Sequence, residues 1–155
     1  NANEFGFTND YTQLIGNYQI TPTWVPVFKG LDVPGTPTFG PLNRGTWARD
    51  GKVATYRFTA DLTALVGPVG VALVGPMLHT SAVDTESACS LSEASGWTAP
   101  SASSITAEVS SNTQFITLKR IVDGPPTTSV NSDVSEWGVP ITIVGTCVFP
   151  IKDGT

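Results

Sequence analysis

Apolar and polar side chains alternate from Ala54 to Ala60, shortly after the pair Asp50-Gly51. One face of this run carries Ala54, Tyr56 and Phe58, and the other carries Thr55, Arg57 and Thr59. Alternation with one apolar face is typical of a half-buried β-strand, because successive side chains point to opposite faces. Asp-Gly tolerates the backbone angles of a tight turn. The pattern therefore predicts a hairpin over Thr46–Ala60.

The rest of the chain consists mainly of short apolar runs separated by Gly, Pro, Asn and Asp. Such runs predict further strands at Thr23–Phe28, Val69–Val74, Ile105–Ser110, Gln114–Ile121 and Val139–Phe149, with a weaker candidate at Met77–Val83. The last strand is expected to place Ile141, Ile143, Cys147 and Phe149 on one side. About eight short strands and no amphipathic helix favour an all-β fold, an antiparallel β-sandwich of the jelly-roll or lectin-like type.

Two segments lack a clear strand pattern. Leu31–Asn43 is rich in Pro and Gly, which predicts a loop. Thr85–Ser104 is rich in Ser and Ala, and it is compatible either with a long loop that carries Trp97 or with a short helix over Glu86–Glu93.

The chain is expected to contain one domain, at residues 21–155. Residues 1–20 are polar with scattered aromatic side chains, which predicts a linker or the end of a preceding domain. The chain begins at Asn1 without a signal peptide, so we expect a fragment of a longer protein. Gly and Gly-Pro interrupt the apolar run Leu62–Leu78, which predicts strand-turn-strand rather than a membrane-spanning segment.

Charged residues make up only 14% of the chain, and the net charge is −5. An average soluble protein has roughly 25% charged residues. The closest pair of basic residues is Lys119-Arg120. Because phosphate binding needs a basic stripe, the composition disfavours a nucleic-acid or anionic membrane partner. Low charge fits an oligomer interface, contact with neutral sugars, or ordinary sandwich composition, and the sequence leaves these open.

The chain has two cysteines, Cys89 and Cys147, and one histidine, His79. A disulfide is one interpretation, and a small buried hydrophobic Cys147 is another. Neither cysteine has metal-ligand spacing to His79, so we expect no metal or cofactor. No Gly-x-Ser-x-Gly motif accompanies His79, which is therefore interpreted as a structural histidine.

Three short patches carry a resemblance to a known module. They are Pro22-Thr23-Trp24-Val25-Pro26, the hairpin from Gly45 to Tyr56, and Ile141-Thr142-Ile143-Val144-Gly145-Thr146. Their order resembles the module at the C-terminal ends of bacteriophage tail spikes and tail fibres, over residues 22–149 in outline, although the segment 85–104 lacks the pattern. The resemblance implies a lectin-like β-sandwich that assembles as a parallel homotrimer at the extracellular tip of a virion tail. It also implies that the domain binds host polysaccharide or supports trimer assembly.

The candidate glycan-binding residues are Trp97, Trp137, Glu136 and Glu93. Sugar sites combine an aromatic face, which covers the apolar side of the ring, with polar groups for the hydroxyls. Trp97 lies in a polar segment and Trp137 follows a carboxylate, whereas the strand residues Trp24 and Trp47 are interpreted as packing residues.

Three functions are weighed in view of this resemblance. The first is non-enzymatic recognition of host lipopolysaccharide or capsule, and the second is a purely structural trimerisation cap. The third is a polysaccharide-degrading module, which would need two carboxylates across the scissile bond. The loop acids Asp84, Glu86, Glu93, Glu108, Asp133 and Glu136 carry no catalytic motif, so we predict no catalytic residue.

Overall fold

The computed structural model describes residues 22–100 and 103–153, so the predicted linker at 1–20 lies outside the described residues. Within these ranges the chain forms eleven strands and one 3₁₀ turn, and contains no helix that could span a membrane. The strands are β1 (Thr23–Trp24), β2 (Val27–Gly30), β3 (Thr36–Phe39), β4 (Arg44–Asp50), β5 (Val53–Val66), β6 (Ala72–Gly75), β7 (Ser87–Trp97), β8 (Ser103–Val109), β9 (Ile116–Val122), β10 (Thr128–Asn131) and β11 (Trp137–Pro150), and the turn is Val134–Glu136.

The strands form one antiparallel sheet that curls on itself. Its order is β1-β4-β5-β11-β7-β8-β9-β6-β2, with β3 paired to β5 and β10 paired to β9. The two ends of this order, β1 and β2, are separated in the chain only by Val25-Pro26, so the first and last strands of the sheet lie next to each other. The predicted all-β antiparallel class is confirmed, and the curled sheet is consistent with a β-sandwich.

The predicted hairpin is confirmed as β4 and β5, with Gly51 in the turn at φ 61°. The predicted first strand is instead divided at Pro26, because proline has no N–H for a strand ladder. β1 pairs with β4, and β2 pairs with β6.

The prediction of a loop over Leu31–Asn43 is wrong in part, since β3 lies within it. β3 pairs with the far half of β5, from Leu62 to Val66. Pro37 is tolerated there because β3 is bonded on one side only. The weaker candidate Met77–Val83 forms no strand of the sheet; Ser81 makes an isolated bridge to Ile151.

The alternative of a short helix over Glu86–Glu93 is wrong, and so is that of a long loop, because β7 covers most of this segment. β7 lies between β11 and β8. Val144 of β11 pairs with Glu93, whereas the next residue, Gly145, pairs with Leu91. Ser92 is therefore the extra residue of a β-bulge. The bulge breaks the period-two pattern, which is why the alternation could not be read from the sequence.

β11 is the central strand, paired over ten residues with β5 on one side and with β7 on the other. All four side chains predicted to share its buried face are at most 1% exposed. They pack against the inner face of β5, where Tyr56, Ala60 and Leu62 are fully buried. The C-terminal strand therefore carries the middle of the core.

Cys89 and Cys147 form a disulfide between β7 and β11, which decides between the two interpretations of the cysteines. The two residues are direct cross-strand partners with Cα atoms 4.4 Å apart. The bond closes a loop across a sequence separation of 58.

We expect the Cys89→Ala/Cys147→Ala double variant to lose about 2–4 kcal/mol of unfolding free energy, since a cross-link of this length restricts the unfolded chain. Denaturant unfolding at equal chain concentration measures the loss. Reductant should destabilise the parent protein and leave the double variant unchanged. Equal midpoints for the two proteins, or titratable thiols in the native parent, would contradict the disulfide.

Candidate functional site

Trp97 and Trp137 meet where β7 ends and β11 begins, as cross-strand partners. The residue before Trp97 is Gly96, at φ 98°, and a Cβ there would lie 2.7 Å from the carbonyl oxygen of Gly138. A side chain at this position would therefore push the two strands apart. The backbone N–H of Thr98 donates to the carbonyl of Glu136 at 2.7 Å, which fixes the end of β7 against the 3₁₀ turn.

The carboxylate of Glu136 is the centre of a polar network. Its Oε1 accepts from the indole Nε1 of Trp97 at 3.0 Å and from the hydroxyl of Ser132 at 2.9 Å. Its Oε2 accepts from the backbone N–H of Asp133 at 3.3 Å. Arg120 Nε lies 3.3 Å from Oε2 as an ion pair, without the angle of a hydrogen bond. Both oxygens of Glu136 therefore have protein neighbours.

Ser132 connects the two indoles, because its hydroxyl also accepts from Nε1 of Trp137 at 3.0 Å. Trp137 is 9% exposed and its ring packs against Phe28, with centroids 5.2 Å apart. Trp97 packs against the edge of the core and keeps part of its surface open. The network thus combines a buried indole, a carboxylate and a half-buried indole.

Glu93 lies apart from this network, on the exposed face of β7, where it pairs with Val144 and accepts from the hydroxyl of Ser95 at 2.8 Å. The structure thus brings together Trp97, Glu136 and Trp137, and places Glu93 elsewhere. Glycan binding by these four residues stays a prediction.

Trp24 and Trp47 are packing residues, as expected. Trp24 is 5% exposed and contacts the ring of Tyr56 edge-on at 5.2 Å. Trp47 is half-buried, stacks on Tyr56 at 6.3 Å and contacts His79 at 4.7 Å.

His79 is buried and bonded to Tyr56, which agrees with its structural interpretation. The phenol oxygen of Tyr56 accepts the backbone N–H groups of Leu78 and His79, so its proton is donated to Nδ1 of His79. The imidazole therefore carries its own proton on Nε2. Burial, assisted by the charge of Arg49, lowers the pKa of His79, and burial raises the pKa of Tyr56.

A hollow of about 460 Å³ is lined by residues that include Asp32 and Asp133. The Asp133 carboxylate caps the 3₁₀ turn by accepting from the backbone N–H of Ser135 at 3.0 Å, and this bond lowers its pKa. Among residues 22–100 and 103–153 there is no group of three or more His, Cys, Asp or Glu arranged to hold a metal ion.

Sequence reasoning missed a groove of about 200 Å³ on the outer face of β4, β5 and β11. Its charged residues are Arg44 and Arg57. The alternation in β5 already placed Arg57 on the polar face. The position of Arg44 next to Arg57 depends on the register between β4 and β5, which the structure shows.

The strands define an antiparallel all-β domain of the sandwich class. Its fold is similar to part of the crystal structure of the Dettilon tailspike protein (gp208), with a TM-score of 0.68 and 16% sequence identity, covering 85% of this chain. The similar region is 24% of the tailspike chain, so this chain spans about a quarter of that protein. At this identity the likeness shows the fold. No protein-family model and no curated protein sequence matches this chain.

We expect Glu136→Ala to lower the unfolding free energy by about 2 kcal/mol, because it leaves a donor on half-buried Trp97 and one on buried Ser132 without an acceptor. Glu93→Ala is the matched control and should change stability by less than about 0.5 kcal/mol, since Glu93 is exposed. Denaturant unfolding of both variants measures the difference. Equal effects would mean that the network does not stabilise the fold.

Proposed function

We propose that this chain is a non-enzymatic domain of a bacteriophage tail spike or tail fibre, at the distal, extracellular end of the virion tail. In this proposal it recognises host surface polysaccharide, either lipopolysaccharide or capsule, and supports trimer assembly. The similarity of its fold to part of a tailspike protein supports a tail role. The three residue patches described above support the C-terminal position.

The glycan-binding part of the proposal rests on Trp97, whose side chain is both fixed and partly exposed. Its indole N–H is fixed by Glu136, while part of its surface stays open. A fixed aromatic side chain loses little conformational entropy when a sugar ring stacks on it. In this account Trp97 contacts the sugar, whereas Glu136 and Trp137 hold it in position. Glu93 is a proposed polar contact on the exposed face of β7.

A parallel homotrimer would present three equivalent sites. Three weak sites on one spike raise the overall avidity for a repeating polysaccharide without any new contact. A structural cap without a ligand is the second candidate function. The burial of Trp24 and Trp137 favours it, because only part of the aromatic surface is left for a ligand.

We expect Trp97→Ala to weaken binding to a host polysaccharide by roughly two- to tenfold per site, because it removes the stacking face. Trp97→Phe should retain most of the affinity, although it loses the bond to Glu136. Isothermal calorimetry against a panel of bacterial surface polysaccharides measures this, with circular dichroism as the control for folding. A parent protein that binds no polysaccharide would support the cap instead.

We expect the purified chain to have three times the mass of one 16.3-kDa chain. Light scattering after size exclusion measures the mass. A monomer would contradict the trimer. It would leave glycan binding by a single domain open to the calorimetric test.

A further inference from the structure

The outer face of the sheet carries a groove far in sequence from the Trp97 network. Three consecutive residues from each of three neighbouring strands line it: 44–46 of β4, 57–59 of β5 and 144–146 of β11. Its volume of about 200 Å³ is below the ~300–1,000 Å³ typical of pockets that enclose a drug-sized molecule. The groove therefore fits one sugar ring or one charged group of a longer ligand.

Two rows of side chains form its walls. One row is Thr46, Arg57 and Thr146, and the other is Arg44, Thr59 and Val144. The two arginines are diagonal neighbours on adjacent strands, a spacing of about 7–8 Å that long side chains can bridge. Both are exposed, and among residues 22–100 and 103–153 neither makes an ion pair.

On β4, β5 and β11 the two rows contain no carboxylate. The nearest carboxylate on the same face of β5 is Asp61, two residues beyond Thr59. Asp61 is 8% exposed, accepts from the backbone N–H of Leu42 at 2.9 Å, and forms no ion pair with either arginine. The next residue along the first row, on β7, is Ser90. Along the second row it is Glu93, which is separated from Thr59 by the whole of β11. Two arginines therefore occupy diagonal positions on one face, without an ion-pair partner among the described residues, on a chain whose net charge is −5.

Three residues paired across the neighbouring strands form the floor of the groove, and their close contacts leave the strands little room to move. Gly45, Phe58 and Gly145 lie opposite one another across the three strands. A Cβ at Gly45 would overlap the indole of Trp24, and one at Gly145 would lie 2.8 Å from Leu91 Cδ2. These close contacts on the inner side fix the spacing of the strands that carry the two arginines.

The geometry points to the groove as a binding site for the carboxylate or phosphate group of an acidic saccharide, an inference that rests on the proposed function. Arginine binds both groups through two parallel N–H donors. The threonine hydroxyls both donate and accept, which suits sugar hydroxyls, and Val144 offers an apolar contact. The polysaccharide that this domain recognises would therefore be anionic.

The test uses an acidic bacterial polysaccharide that the parent protein retains in affinity electrophoresis, together with its carboxyl-reduced and its dephosphorylated forms. The Arg44→Gln/Arg57→Gln variant should bind the untreated polymer at least about tenfold more weakly. The control Lys52→Gln/Lys152→Gln loses the same charge outside the groove, at one exposed and one half-buried position, and should bind like the parent. Salt should weaken parent binding and have less effect on the arginine variant.

The treated polymers identify the charged group, since weaker binding after carboxyl reduction assigns a carboxylate and weaker binding after dephosphorylation assigns a phosphate. Equal losses for the arginine and lysine variants would overturn the inference, because only net charge would matter. If the parent protein retained only neutral polymers, and the arginine variant retained them equally well, the inference would be overturned while the proposed function would stand. If no polymer, acidic or neutral, were retained, both the inference and the proposed function would fail.

Discussion

The fold depends on the insertion of the C-terminal strand between two strands that precede it in the chain. β11 supplies the only link between β5 and β7 in the order of the described sheet, and its inner side chains fill the middle of the core. The disulfide from Cys147 to Cys89 fastens this strand to β7. The hairpin of β4 and β5 and the strands from β7 onward can therefore join into one sheet only when the end of the chain is in place.

The same strand positions both candidate surfaces. Its first residue, Trp137, anchors the network that fixes Trp97, and its residues 144–146 line part of the groove that contains Arg44 and Arg57. Because side chains alternate along β5 and β11, each strand has an inward and an outward face of different composition. Inward side chains are apolar or aromatic and stabilise the fold, while outward side chains are mostly Thr, Val and Arg and, apart from Asp61, are exposed or half-buried.

The sequence predicted those parts of the fold in which pattern and pairing agree. The β4–β5 hairpin was read correctly because β5 alternates and the Asp50-Gly51 turn chemistry is strong. The inner face of β11 was read correctly because Ile141, Ile143, Cys147 and Phe149 recur at a spacing of two or four residues. β7 was missed because the bulge at Ser92 shifts the pattern by one residue. Trp97, Glu136 and Trp137 were predicted as candidate residues from their chemistry. That they lie together was not predicted, because it depends on the register between strands far apart in the sequence. The groove that contains Arg44 and Arg57 was missed for the same reason.

The central claim is that this fold presents a saccharide-binding surface formed by fixed side chains. Amide chemical-shift mapping during titration with a bound host polysaccharide fragment tests it most directly. The account predicts shifts at Trp97 and along 44–46, 57–59 and 144–146, while the inner core around Tyr56 and Phe149 stays unchanged. A fragment that shifts no residue at either surface, or that shifts only residues elsewhere, would contradict the claim.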